Sequence, residues 1–241
     1  MINVLGVKID DISMDQALEI VHEWLKGKKK RYIVTPNPEI IVEADKNSRY
    51  KSILNDADLS IPDGIGLKLS GKIKNTFAGV DFMEKIISHS GDWASTIGLL
   101  GGRKGIAEKA AERLRAKYPG VKIIFAESGG EVDEAGNMTT DYRLPTNVKD
   151  GRLKSVDLLF VAFGPPKQEF WISKNIKKLD VKVMMGVGGA LDYMSGEVPR
   201  APKLIRSLGF EWLFRLIIQP WRVWRQLALL KYMLLLIYDN H

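Results

Sequence analysis

An α/β fold is predicted from three features of the sequence: a Rossmann-like, mostly parallel sheet with helices on both faces, plus a helical C-terminal appendage. Strand and helix signals alternate through the body, as parallel βαβ units require. The stretches Val121 to Ala126, Leu158 to Phe163 and Val181 to Val187 are nearly uninterrupted apolar runs of strand length, the pattern of strands buried on both faces. Beyond Pro202 the strand signals stop, and a segment heavy in Trp, Arg and Leu takes over. The expected division is residues 1–198 for the body and 199–241 for the appendage.

The elements follow in order. Val4 to Ile9 reads as the first strand. Ser13 and Gln16 form a capping box for a helix whose Ala17, Leu18, Val21 and Leu25 share one apolar face. Tyr32 to Val34 is a short buried strand, after which Asn37 as N-cap and Pro38 as first helical residue start a helix. Leu59 to Ile61 is another short strand. Thr96 to Leu100 is a strand, and Ile106 to Lys117, rich in Ala, Glu and Arg, is a helix. The polar stretch from Glu127 to Gly151 holds Gly129-Gly130, Gly136-Asn137 and Pro145, and reads as a long loop with room for one short helix.

With 45% hydrophobic and 27% charged residues, the 241-residue chain has the make-up of a globular core rather than a disordered one. Cysteine is absent, which excludes disulfides and thiolate metal sites and fits a reducing compartment. The start, Met1 to Gly6, lacks the basic and long apolar regions of a signal peptide. Of the formal charge of +7, +5 falls after Val198, on Arg200, Lys203, Arg206, Arg215, Arg222, Arg225 and Lys231 against Glu211 and Asp239. Such a segment suits a phosphate-bearing partner, whether anionic lipid or nucleic acid. Here Phe210, Trp212, Phe214, Trp221 and Trp224 alternate with the arginines, and Arg222 and Arg225 share one helical face. That mixture suits a membrane interface, with rings at headgroup depth and guanidinium groups on phosphates. Nucleic acid is not the expected partner, since no recognised nucleic-acid motif accompanies the charge. The apolar run is interrupted by Lys231 and stays below the roughly 18–20 residues that cross a bilayer, so the segment is expected to lie on the membrane.

Ligands of parallel α/β sheets bind beyond the carboxyl ends of the strands, and five motifs fall there. Thr35-Pro36-Asn37-Pro38-Glu39 offers the Thr35 hydroxyl and Asn37 amide to a sugar; the competing reading is a capped helix start. Pro62-Asp63-Gly64-Ile65-Gly66 holds one carboxylate on a stiff turn, where desolvation would raise its pKa and make Asp63 a general base. Gly101-Gly102-Arg103-Lys104-Gly105 is either a phosphate-approaching loop, using the N–H groups of Gly101 and Gly102, or a plain tight turn. Gly164-Pro165-Pro166-Lys167-Gln168-Glu169 sets Lys167 and Gln168 behind two prolines as ligands for a diphosphate or sugar. Gly186 to Asp192 lets backbone approach closely at Gly188 and Gly189 and places Asp192 for ribose hydroxyls; close helix–strand packing is the alternative. His22, His89 and His241 do not cluster, so neither metal ligation nor a histidine triad is expected. Asp56-Ala57-Asp58 matches the D-x-D pattern of metal-dependent sugar transferases, but its place at a helix end favours capping or solvation. One crevice carboxylate rather than two disfavours a glycosidase and suits a transferase with a good leaving group.

In this order and spacing the motifs resemble the WecG/TagA/CpsF glycosyltransferase family, most closely its teichoic-acid branch. The resemblance runs from Thr35-Pro36-Asn37 to Arg200-Ala201-Pro202-Lys203 and Gly209-Phe210-Glu211-Trp212-Leu213-Phe214-Arg215-Leu216. It implies an inverting, β-1,4-forming transfer of N-acetylmannosamine from a UDP-sugar donor to N-acetylglucosamine on undecaprenyl diphosphate, a polyprenyl-diphosphate-linked acceptor. It implies Asp63 as base, Thr35, Asn37 and Gln168 lining the pocket, and Asp192 near the nucleotide. Arg215, Arg222 and Arg225 would close over the site and meet the lipid diphosphate. The UDP-sugar is a substrate, no other cofactor is implied, and no metal is expected. One departure stands out: the family usually has an Arg shortly before its Ala-Gly-x-Asp motif, whereas Ala78-Gly79-Val80-Asp81 follows Thr76-Phe77, with Lys72 and Lys74 further back. Either a lysine substitutes, or sugar specificity and activity differ.

The expectation is therefore a peripheral enzyme on the cytoplasmic face of the cell membrane, with residues 1–198 catalytic and 199–241 membrane-binding. Its alternatives are transfer of the uronic acid of N-acetylmannosamine or of glucose, or a non-catalytic nucleotide-binding module whose tail oligomerises. Self-association through the exposed tail is also expected as a means of covering it. A body ending at Gly196 is expected to fold and bind nucleotide but to use the lipid acceptor poorly.

Overall fold

The computed structural model describes residues 1–140, 156–207, 210–220 and 223–239. Six parallel strands form the central sheet: β3 (Arg31–Val34), β4 (Leu59–Ser60), β5 (Thr96–Gly101), β6 (Lys122–Glu127), β7 (Val156–Ala162) and β8 (Val181–Gly186). Their order is β4-β3-β8-β7-β5-β6, so every carboxyl end opens on one edge. Successive side chains alternate between two cores. Tyr32, Val34, Leu159 and Val161 face one, while Ile33, Leu158 and Phe160 face the other. Both faces are thus apolar, which is why these strands read as continuous hydrophobic runs.

Helices α2 (Pro38–Lys46), α3 (Ser48–Asn55) and α6 (Lys167–Asn175) contribute to the first core. Helices α1 (Met14–Lys26), α4 (Gly79–His89), α5 (Ile106–Lys117) and α7 (Ala190–Met194) contribute to the second. The expected capping box is formed: the Gln16 N–H donates to Ser13 Oγ at 3.2 Å and the Ser13 N–H to Gln16 Oε1 at 2.9 Å. Asn37 caps α2 as expected, its Oδ1 accepting from the Ile40 N–H at 3.0 Å.

The amino terminus differs from expectation. Val4 to Ile9 is not one strand but part of an antiparallel hairpin, β1 (Ile2–Val4) and β2 (Val7–Ile9). Leu5 and Gly6 turn at positive φ, 52° and 84°, in the sense a two-residue hairpin loop needs. The Asn55 side chain pins the hairpin to α3 by accepting from the Lys8 N–H and donating to the Gly6 carbonyl, both at 2.8 Å. A single apolar run cannot reveal such a reversal, because strand and hairpin share the same alternation. Residues 141–155, most of the second half of the expected Glu127–Gly151 loop, lie outside the described residues.

After α8 (Lys203–Ser207), helices α9 (Glu211–Ile218) and α10 (Val223–Asp239) complete the chain. They relate to the body in opposite ways. Helix α9 buries no side chain. Helix α10 packs along α2 and the 3₁₀ turn Ile65–Ser70, and places Tyr232 (0% exposed) and Leu236 in the first core. Within the expected appendage, then, the last helix shares the core of the body.

Candidate active site

The loops after β3 and β4 meet around one carboxylate. The Asp63 N–H donates to the Pro36 carbonyl at 2.9 Å, tying the Pro-Asp-Gly turn to the Thr-Pro-Asn motif. Its Oδ1 accepts from the Gly79 N–H at 3.0 Å, at the first residue of α4. The Asn37 side chain hydrogen-bonds the same carboxylate, so this residue caps α2 and holds Asp63 together. Thr35, buried, packs against Gly79. Burial in the surrounding protein pushes the half-buried Asp63 carboxyl up to about 6, against the pull of the Gly79 and Asn37 hydrogen bonds. The negative charges of Glu211 and Asp81 raise it further. A carboxyl tuned near 6 is ionised at neutral pH yet a stronger base than an ordinary aspartate.

A second group forms where β5, β7 and β8 end. The Gln168 side chain is 1% exposed and accepts from the Gly188 N–H at 2.9 Å. The Arg215 guanidinium from α9 lies over Gly189, where a β-carbon would come within 2.7 Å of its Nη2 and 3.2 Å of Asp192 Oδ2. A side chain at 189 would therefore displace both charged groups from the turn. Arg215 also stacks on the Tyr193 ring, 4.7 Å from its centroid. Asp192 faces Arg103 at 4.0 Å, which joins the loop after β5 to this group. The Gly102 N–H donates to the Ala162 carbonyl at 3.0 Å, within the frame between β5 and β7. Lys167 forms an ion pair with Glu134 at 3.0 Å.

A charge cluster joins the two groups. Arg200 pairs with Asp81 of α4 at 2.6 Å and with Glu211 at the start of α9 at 3.1 Å. Arg206 adds a contact to Asp81 at 3.3 Å. Because Asp81 sits two residues after Gly79 and Glu211 one turn before Arg215, Arg200 connects the helix holding Asp63 to the helix carrying the guanidinium. The Ala-Gly-x-Asp acid, Asp81, is thus paired by arginines from beyond the body's last strand, Arg200 and Arg206. Lys72 lies 3.6 Å from Asp239, at the end of α10, and Lys74 is exposed. Arg200→Ala is expected to raise the Asp63 titration midpoint, since Asp81 and Glu211 lose their counter-charge, and to lower Tm by a few degrees. Carboxyl-carbon NMR titration and a thermal melt check both.

Asp58 is committed elsewhere, pairing with Arg31 at 3.2 Å and accepting from the Tyr32 N–H at 3.1 Å, and Asp56 forms the C-cap of α3. Among the described residues, no group of three or more His, Asp or Glu side chains converges as a metal site would, and no helix is long and apolar enough to cross a membrane. Leu204 of α8, Phe210, and Trp212, Leu213 and Ile217 of α9 are exposed. Arg222 lies outside the described residues, and Arg225 is described only by its place in α10.

Sequence reasoning gave no role to Asp81, Arg200, Glu211 or Tyr193. The first three stand inside motifs of the resemblance, which was the available signal, but nothing local announces that they meet.

The chain matches the model of the glycosyl transferase WecG/TagA/CpsF family over residues 2–240. It is 32% identical over 237 residues, 95% of this chain and 88% of the relative, to an N-acetylglucosaminyldiphosphoundecaprenol N-acetyl-beta-D-mannosaminyltransferase of Staphylococcus aureus. A protein of Bacillus spizizenii with the same name is 34% identical over 214 residues, 87% of this chain and 79% of its own.

Proposed function

Since the chain belongs to the WecG/TagA/CpsF family of glycosyl transferases, we propose that it moves N-acetylmannosamine from UDP to N-acetylglucosamine on undecaprenyl diphosphate. The observation that carries the mechanism is the Asp63 carboxyl, fixed by Gly79 and Asn37 at the open edge of the sheet with its pKa pushed up to about 6. Asp63 takes the proton of the acceptor 4-hydroxyl as that oxygen attacks the anomeric carbon. The bond to the UDP oxygen breaks on the opposite face, so one displacement inverts the centre and gives a β-1,4 linkage. Arg215, over Gly189, balances the charge that grows on the departing diphosphate. Thr35 lines the sugar pocket beside Asp63, and Gly188 and Gly189 seat the nucleotide diphosphate, with Asp192 toward the ribose.

The enzyme works as a peripheral protein on the cytoplasmic face of the membrane. The exposed apolar residues of α9 rest at headgroup depth, and Arg222 and Arg225 meet the lipid diphosphate while Arg215 stays over Gly189. Self-association of the tail would cover the same apolar side chains when no membrane is present.

The test is UDP release from UDP-N-acetylmannosamine with and without a lipid-linked N-acetylglucosamine acceptor. Acceptor-dependent turnover at least tenfold above that with UDP-glucose or the uronic acid donor is the expected result. Equal turnover with another donor would reassign the sugar, and nucleotide binding without turnover of any donor would leave only a binding module.

A further inference from the structure

Glu169 takes no part in the chemistry above, yet it is 0% exposed and lies one residue beyond Gln168 in the first turn of α6. Its Oε1 accepts from Gln168 Nε2 at 2.7 Å, and its Oε2 accepts from the Tyr50 hydroxyl at 3.1 Å, across from α3. The other end of the Gln168 carboxamide, Oε1, accepts from the Gly188 N–H at 2.9 Å. One buried chain of hydrogen bonds therefore runs from α3 through α6 to the loop after β8. Space for it depends on Gly186, where a β-carbon would stand 2.8 Å from Gln168 Nε2 and 3.1 Å from Glu169 Oε1.

A carboxamide has nearly the same shape when turned end for end, so packing alone does not choose which end meets Gly188. An ionised Glu169 does choose, because a carboxylate accepts and cannot donate: it draws the Gln168 NH₂ toward itself and leaves the carbonyl for the Gly188 N–H. Burial pushes the Glu169 carboxyl up to about 7, so the two readouts below are taken at pH 8, where the ionised form prevails. Burial also raises the pKa of the Tyr50 hydroxyl, which keeps it a donor to Glu169.

We propose that Glu169, anchored by Tyr50, is a positioning residue that sets the orientation of Gln168 and so fixes the Gly188–Gly189 turn under Arg215 as the seat of the donor's diphosphate. The assignment of that seat rests on the reading of the crevice as a UDP-sugar site; the orientation of Gln168 does not.

The test uses full-length Glu169→Leu and Glu169→Gln. Leucine fills the volume without an acceptor and leaves two buried donors, the Gln168 NH₂ and the Tyr50 hydroxyl, unpaired, so a lower Tm is expected for this variant. Glutamine can still accept from Gln168 with its oxygen and donate to the Tyr50 oxygen with its nitrogen. Two readouts are taken with Tm: UDP affinity by calorimetry, and hydrogen-exchange protection of the Gly188 amide without ligand. Glu169→Leu is expected to weaken UDP binding about tenfold and to cut Gly188 protection by a similar factor, while Glu169→Gln stays within about threefold of wild type in both. Unchanged Gly188 protection in Glu169→Leu would overturn the proposal, as would equal losses in the two variants, which would point to charge rather than orientation. Loss of protection in Glu169→Leu alone, with UDP affinity unchanged or absent in wild type too, would keep the positioning role and remove the diphosphate seat.

Discussion

Asp63→Asn should lower kcat by a factor of about 10²–10⁴, the usual range for removing a positioned general base, with little change in the affinity for UDP. The amide keeps the shape of the turn and can still accept from the Gly79 N–H, so a smaller effect would mean that the acceptor proton leaves by another route. Wild-type kcat should rise with pH through about 6 and level off above it, because only the ionised carboxyl can take a proton. The sign for stability is the reverse. The folded carboxyl binds its proton more tightly than the unfolded one, whose pKa is the ordinary 3.8. Stability is therefore fully kept below that value and is lost as pH rises through about 6. Above that window Asp63→Asn is expected to melt at or above the wild-type temperature while being nearly inactive. A pH–rate profile and melts at pH 5 and 8 check the pair, and a flat profile between pH 5 and 7 would exclude Asp63 as the base.

Truncation after Gly196 is expected to do more than impair use of the lipid acceptor. Tyr232 and Leu236 of α10 are core residues, and burying apolar surface of this size contributes about 1.5–3 kcal/mol for each side chain. A domain of this size has a total stability of roughly 5–15 kcal/mol. Leu229 and Pro38 also close over Gly66, so α10 backs both the Asn37 and Asp63 loops. The truncated chain should melt roughly 10–20 °C lower and lose nucleotide binding along with turnover. Arg215→Ala separates the two roles of the tail. Because α9 buries no side chain, this variant should melt within about 2 °C of wild type and still lose turnover by about two orders of magnitude. A truncated body as stable as the full chain would show that α10 is only docked against it; full turnover in Arg215→Ala would remove Arg215 from the mechanism.

Much of this was legible in the sequence because the information is local. The Ser13–Gln16 box, the Asn37-Pro38 helix start and the apolar runs of β7 and β8 each depend on residues within a turn or on a short period. Motifs at strand ends could be placed in the crevice for the same reason, since a parallel sheet sends all its carboxyl ends one way. Asp63 was legible as an acid stiffened by proline and glycine; what surrounds it was not. Asn37 was read as either a helix cap or a sugar ligand; the structure makes it a cap that also hydrogen-bonds the Asp63 carboxylate, a partner 26 residues away that nothing local announces.

By itself, then, the sequence determined the alternation of elements, the sheet type, the order of the motifs and the charge of the tail. Only the tertiary structure decided that the first apolar run folds back on itself, that α10 returns to the core while α9 stays outside, and that Arg200 meets Asp81 and Glu211 while Glu169 meets Gln168 and Tyr50. The physical reason is distance along the chain: Arg200 meets Asp81, and Tyr50 meets Glu169, across 119 residues in each case. A contact of that span leaves no periodicity or cap in the neighbouring residues, and it exists only once the sheet has brought the two segments together.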